Sequence, residues 1–299
     1  MERIWGGRKL AEIFGKDLPP NTRIGESWEI VDRLDVQSIV LSGPLKGKTL
    51  HDLWTDYRLL IFGDVAAAER FPLLIKLLDA REMLSLQVHP PASVATELGG
   101  EAKSEFWYVA AADRGAELLL GFQKPTSRGQ FEKALRNGTA LEHVHKIPTK
   151  AGDAVFLPAG RLHAISAGHL LIEVQQNSDT TYRVFDWNRT DDDGKLRQLH
   201  ITQALRSINF ADVRPGLCEP KGESLLSHRL FEIDKWALDR SRESAPFGQF
   251  AIVCCLTGNV ACAGIHLKPG EIFLVPAQIP DRELQPLAPE TTVLRVTIP

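Results

Sequence analysis

The sequence predicts a mainly β fold, built as two related sandwich- or barrel-like units with a few short helices. Three features lead to it. Short apolar runs closed by Gly, Pro or Asp recur along most of the chain, as in antiparallel sandwiches and barrels. Helical periodicity is confined to two short stretches. A glycine, five residues and then Pro-Ala occur twice, in "AGDAVFLPAGRLHAI" (residues 151–165) and "PGEIFLVPAQIPDREL" (residues 269–284), as a duplicated β-unit would show.

In chain order, the expected strands are "ESWEIVD", "QSIVLSG", "MLSLQVH", "EFWYVAAAD", "AELLLGF", "DAVFLP", "HLLIEVQQ", "TYRVFDW", "FAIVCCLTG", "EIFLVPA" and "TTVLRVTIP". Their β-branched and aromatic residues suit a pleated, half-buried surface. One helix is expected in "TLHDLWTDYRLLIFG", with Thr49 as N-cap and Leu50, Leu53, Trp54 and Tyr57 on one side. A clearer one is "TSRGQFEKALRNG": Thr126 or Ser127 caps it, Phe131 and Leu135 fall four apart, and Gly138 closes it. "RTDDDGKLR" has the acidic residues of a cation loop but no properly spaced downstream Glu, and reads as a solvated turn. "LEHVHKIP", with His143 and His145, reads as a hydrogen-bonded turn.

With 299 residues, 43% of them hydrophobic, the chain is long enough to bury two cores. Its 35 Lys plus Arg against 38 Asp plus Glu, with no basic block, speak against a nucleic-acid partner. No apolar stretch approaches the roughly 18 residues of a membrane span, and "MERIWGGRKLAEIFG" lacks an apolar signal core. The cysteines, Cys218, Cys254, Cys255 and Cys262, include an adjacent pair poorly placed for a disulfide. Reduced cysteines in a cytoplasmic protein, monomeric or homodimeric and without a membrane partner, are therefore expected.

Chemistry concentrates around "LSLQVHP". In a strand, side chains two apart share a face, so Gln87 and His89 stand together while Leu86 and Val88 face the other way. In the first repeat, Gly152, Pro158, Gly160 and His163 form G-x5-P-x-G-x2-H. That spacing resembles the second cupin motif, whose histidine points into a small barrel as a metal ligand. "KSEFWYV" adds Glu105, and two imidazoles, a carboxylate and an amide oxygen suit Zn²⁺ while also accommodating Mn²⁺, Fe²⁺ or Co²⁺.

The blocks "RIWGGRKL", "GESWEI", "FPLLIKLLDAREMLSLQVHPP", "KSEFWYV", "FLPAGRLHAI" and "IEVQQNSDTTYRVFDWNR" together resemble the type I phosphomannose isomerases in their short bacterial form. The resemblance runs to about Arg189 and is faint in the last third. It implies a bicupin of two jelly-roll-like barrels: a metal-binding catalytic domain over residues 1–210 and a degenerate, metal-free one over 211–299. It also implies one bound zinc per chain and a sugar-phosphate substrate, mannose 6-phosphate interconverting with fructose 6-phosphate. The family's metal ligands fall on Gln87, His89, Glu105 and His163. Its site lysine two residues before the ligand glutamate falls on Lys103, although Ser104 stands where longer members often have proline. Its arginine falls on Arg183, its acidic residue on Glu173, and a further lysine near the substrate on Lys76. Longer members carry a helical insertion for which this chain has only one short segment between Glu105 and His163.

Such an isomerisation passes through a cis-enediol, so negative charge on two adjacent oxygens must be stabilised and a base supplied. A metal and the always-cationic Arg183 serve the first need, and Arg183 can instead hold the phosphate. Lys103 can bind phosphate or a hydroxyl, or move a proton if neighbouring cations depress its pKa. Glu173 is a base or an orienting partner. Two rivals remain from the residues: a cupin metal-dependent oxygenase, since two histidines and a carboxylate also describe iron sites, and a non-catalytic sugar-phosphate-binding cupin.

Overall fold

The computed structural model describes residues 1–190 and 194–299; the centre of the "RTDDDGKLR" turn, residues 191–193, lies outside the described residues. The chain folds into two compact units. The first holds Met1–Lys9, Leu18–Ser27 and Lys76–Leu217, and the second Leu10–Asp17, Trp28–Ile75 and Cys218–Pro299. Residues 10–17 and 28–75 thus group with the C-terminal strands, and the later division falls between Leu217 and Cys218.

The strands up to the end of the first unit are β1 (Glu2–Gly7), β2 (Glu26–Ile30), β3 (Leu73–Ala80), β4 (Leu86–Val88), β5 (Glu105–Ala112) and β6 (Glu117–Phe122). β7 (Val144–Pro148), β8 (Ala154–Leu157), β9 (His163–Ile165), β10 (His169–Gln176) and β11 (Tyr182–Phe185) follow. They form two five-stranded sheets, ordered β2-β3-β10-β5-β8 and β11-β4-β9-β6-β7. Period-2 alternation divides their side chains. Trp5, Leu78, Trp107, Leu118, Leu120 and Ile165 belong to one core cluster. Leu86, Val88, Leu119, Ala164 and Val184 turn the other way, into a second cluster with helix residues Phe131, Ala204 and Leu205.

Helices α1 (Lys9–Glu12), α2 (Leu50–Asp56), α3 (Arg58–Phe62), α4 (Ala92–Ala95), α5 (Arg128–Arg136) and α6 (Ile201–Ser207) are all short. Thr49 caps α2 and Ser127 caps α5, each with a reciprocal capping box that satisfies backbone donors at the helix start. Thr126 instead donates to the Lys124 carbonyl. In the second unit Trp54, Phe62, Phe71 and Phe250 form an edge-to-face cluster, with Phe62 and Phe250 centroids 5.5 Å apart. That cluster is why the α2–α3 segment groups with C-terminal strands rather than with its neighbours in sequence.

The second unit continues with β12 (Ser224–His228), β13 (Phe231–Leu238), β14 (Arg242–Glu243), β15 (Ala251–Thr257) and β16 (Val260–Cys262). β17 (Ile265–Leu267), β18 (Ile272–Val275), β19 (Glu283–Pro286) and β20 (Thr291–Thr297) complete it. Its sheets run β12-β13-β20-β15-β18 and β14-β19-β16-β17. The first of these repeats the order of β2-β3-β10-β5-β8 position by position. The two glycines of the sequence repeat, Gly152 and Gly270, have φ of 94° and 80° and introduce the equivalent edge strands β8 and β18.

Several elements depart from expectation. "QSIVLSG" is no strand; it contributes only the isolated bridges Asp32↔Gln37 and Ile39↔Thr49. β3, unexpected as a strand, is buried at all eight positions, so its continuous apolar run carries no alternation. β13, also unexpected, changes phase: Phe231 and Ile233 are buried, then Trp236 and Leu238. His143 ends a 3-10 turn and bonds Thr126, whereas His145 lies on strand β7.

Candidate metal centre and pocket

Each sheet of the first unit carries one row of polar residues. Across β11, β4 and β9, register places Arg183 opposite Gln87 and Gln87 opposite His163, and His89 follows directly on β4. Across β10 and β5, Glu173 faces Trp107 and Gln175 faces Glu105. Lys103 sits just before β5, two residues from Glu105, and Lys76 lies on β3. All these positions alternate with the apolar ones that fill the cores, so the same pleat that buries leucine on one side gathers charge on the other.

His89, Glu105 and His163 are buried, and their ligand-type atoms lie within 4.8 Å of one another. His89 Nδ1 donates to the Thr180 carbonyl at 2.8 Å and His163 Nδ1 to that of Arg161 at 2.9 Å. A carbonyl only accepts, so each ring is fixed with its proton on Nδ1 and a lone pair on Nε2. Both Nε2 atoms then face Glu105, His89 at 3.3 Å from Oε2 and His163 at 3.3 Å from Oε1. Lone pairs directed at a carboxylate need a cation between them. His89 Nε2 and both Glu105 oxygens are buried without a hydrogen bond, and only Oε2 has an ammonium beside it, that of Lys103 at 3.0 Å, an arrangement that is costly in a protein unless an ion completes it.

Electrostatics favours the ligand forms. Burial, helped by the nearby Lys103 ammonium, pulls the His89 pKa down, and burial pushes His163 down to about 3. Both imidazoles are therefore neutral. Burial by itself would raise Glu105, but its charged surroundings, the Lys103 ammonium at 3.0 Å first among them, outweigh it and hold the carboxyl well below its usual range. Gln87 lies beside His163, its Nε2 3.3 Å from the ring Nε2 while Ser85 Oγ donates to its Oε1. Turning the amide over about its last bond presents the oxygen to the triad and leaves Ser85 Oγ to accept.

Glu173 is buried, accepts from Trp107 Nε1 at 2.8 Å and lies 3.6 Å from Lys76 Nζ. Burial raises its pKa despite the two lysines. For Lys103 burial opposes the ammonium, yet Glu105 and Glu173 outweigh it and the pKa rises. That is the reverse of the depression needed to move a proton. Arg183 makes no ion pair among the described residues, and its buried Nε has no partner. Burial, then Arg197, lowers its pKa.

Lys76, Gln87, Lys103, Trp107, Glu173 and Arg183 line a cavity of about 400 Å³ that also takes in Arg3, Asp179, Arg197 and His200. The sequence offered no signal for Arg197 and His200. Arg197 and His200 lie in "KLRQLH", outside any expected element, and reach the pocket because His200 clips onto Arg183. The His200 N–H donates to the Arg183 carbonyl at 2.8 Å, and the Arg183 N–H to His200 Nδ1 at 3.3 Å. Among the described residues no other group of His, Cys, Asp and Glu is placed to hold a metal, and no helix is long and apolar enough to cross a membrane.

The family model for the catalytic domain of phosphomannose isomerase type I matches residues 1–119. The chain is 37% identical to the mannose-6-phosphate isomerase of Streptococcus mutans, over 93% of this chain and 90% of the relative. It is 35% identical to a mannose-6-phosphate isomerase of Bacillus subtilis, over 95% and 93%. The crystal structure of the mannose 6-phosphate isomerase from Bacillus subtilis superposes with a TM-score of 0.89 at 33% identity, covering 100% of this chain and 97% of that one. Identity of this level along nearly the whole length, together with the shared fold, shows that the chain belongs to the type I phosphomannose isomerase family.

Proposed function

We propose that the protein interconverts mannose 6-phosphate and fructose 6-phosphate, with the first unit catalytic and the second metal-free. One observation carries this: a buried His-Glu-His group whose lone pairs converge, beside a cavity lined by Gln87, Lys103, Glu173 and Arg183. Gln87, His89, Glu105 and His163 would hold one divalent ion, Zn²⁺ by the chemistry of two imidazoles, a carboxylate and an amide oxygen. When bound, that ion supplies Lewis-acid polarisation of the sugar's O1 and O2 region.

The chain's own residues do the rest. Glu173, with a raised pKa, is the base that takes the proton from C2 and returns it at C1, held in line by Lys76 and the Trp107 N–H. Lys103, kept as an ammonium, donates to a sugar oxygen on which charge develops. Arg183 supplies fixed positive charge from the facing sheet, and Lys76 completes the substrate contacts. The four free cysteines support a reducing, cytoplasmic setting.

The test is isomerisation of mannose 6-phosphate by the purified protein, before and after chelation and with Zn²⁺ added back. Turnover that disappears with the metal and returns with it is expected. Bound metal with no turnover would transfer the chain to the sugar-phosphate-binding reading, and oxygen consumption with an iron-loaded sample to the oxygenase one.

A further inference from the structure

The charges around the cavity are unevenly distributed. On the side of Glu105 and Glu173 two ammoniums, Lys76 and Lys103, share the space with three carboxylates, Glu105, Glu173 and Asp179. On the side of Arg197 the balance reverses. Of the guanidiniums there, Arg189 and Arg197 both pair with buried Asp186, while Arg183 makes no ion pair among the described residues and has Asp186 and Asp179 only nearby. Arg189 is turned away, to Asp186 and the Met83 carbonyl. Arg197 NH1 rests 3.3 Å from Asp186 Oδ2, which fixes the side chain while its other nitrogens make no bond among the described residues. Arg3, the remaining arginine of the cavity, is already paired with Glu26 at 3.0 Å.

His200 adds a neutral donor to this end. Its Nδ1 accepts the Arg183 backbone N–H, so the neutral ring carries its proton on Nε2, and the residue lines the cavity. Two guanidiniums in surplus and one imidazole N–H match a phosphomonoester, which brings close to two negative charges and three strong acceptor oxygens.

We propose that Arg197 and His200, with Arg183, form the phosphate clamp of this pocket, positioned by Asp186, and that the clamp sets both the direction in which the sugar enters and its preference for a phosphorylated substrate. This rests on the isomerase reading for the sugar but not for the anion. Arg197 and His200 are specificity residues that touch the phosphate, whereas Asp186 acts through Arg197.

The experiment compares metal-loaded wild type with Arg197→Gln and His200→Asn. The asparagine retains an acceptor for the Arg183 N–H and deletes the Nε2 donor. Calorimetry reads the dissociation constant of inorganic phosphate, and steady-state kinetics reads KM and kcat for mannose 6-phosphate. Arg197→Gln should weaken phosphate binding and raise KM by about 10- to 100-fold, the range for a lost charged hydrogen bond. The kcat should stay within about threefold, because the interaction is made equally in ground and transition states. His200→Asn should show the same split at about 3- to 10-fold. Metal content should be unchanged in both. Phosphate affinity and KM at wild-type values in a folded Arg197→Gln protein would overturn the clamp, as would a loss confined to kcat. If Arg197→Gln fails to fold, His200→Asn decides by the same readings. A wild type that binds phosphate but turns over no sugar, with Arg197→Gln weakening that binding, would retain the clamp and remove the isomerase reading.

Discussion

The two sandwiches share a sheet order and differ in what stands at equivalent places. Glu105 lies opposite Leu157, and Ala251 lies opposite Val275; Leu157 and Val275 each precede the proline of the repeat. The candidate ligand carboxylate of one unit is thus a buried alanine in the other. By the same spacing His163 corresponds to Asp281, which is exposed. Trp107 pairs with Glu173, and its equivalent Val253 pairs with Arg295. Lys76 and Asp234 are each the fourth residue of their strand, so the Lys76–Glu173 pair is repeated with its charges reversed, Arg295 to Asp234 at 2.8 Å. A backbone of this kind accepts an apolar filling, Ala245, Ala251, Val253 and Cys255 among others, or a charged one. The chemistry resides in the filling.

Exchanging those fillings tests the contrast. The largest effect should come from His89→Ala or His163→Ala, which should empty the metal site and lower turnover beyond the ~10–100-fold that even a ligand's outer partners control. Metal analysis beside activity checks this, and metal retained in the double variant would sink the site. Next, Ala251→Glu should bury in the second unit a carboxylate with none of the first unit's partners. It should cost about 3–5 kcal/mol, read by denaturant unfolding, and confer no second metal. Arg183→Ala should keep the metal and lower kcat/KM by ~10²–10³-fold. Asp234→Asn, which disrupts the reversed pair where no substrate is expected, should cost about 1 kcal/mol and leave kcat unchanged.

Acid should also separate the two fillings. His163 is near 3 in the folded protein and, like every histidine, about 6.5 when unfolded. Below pH ~6.5 the unfolded chain therefore binds the extra proton, and stability falls as pH drops from about 6.5 towards 3. Glu105, depressed when folded, is protonated first in the unfolded chain and adds loss in the same direction at the acid end. Thermal midpoints of the metal-free protein should be flat above pH ~7 and decline below it, less steeply in His163→Asn. A decline of equal slope in that variant would count against a buried neutral His163.

Read alone, the sequence showed the strand-rich architecture and pointed to a duplicated unit and to Gln87, His89, Glu105 and His163 as candidate ligands, of which the fold brings His89, Glu105 and His163 together. These are short-range signals: alternation, turn glycines, and residues two apart on one strand. It also placed Thr49 as a helix cap and narrowed the other cap to Thr126 or Ser127, since a cap acts within three residues. It did not reveal β3 and β13, where burial on both faces or a change of phase erases the alternation. Only the tertiary structure decided that residues 28–75 group with the C-terminal strands, because an aromatic cluster assembled across the chain outweighs proximity in sequence. It alone brought Arg197 and His200 to Arg183, through two backbone-directed hydrogen bonds between segments 17 residues apart. And it alone fixed the histidine tautomers, through carbonyls of Thr180 and Arg161 that no spacing rule links to the rings they hold. Local periodicity is written along the chain, whereas the direction of a lone pair is settled only when distant backbone arrives to meet it.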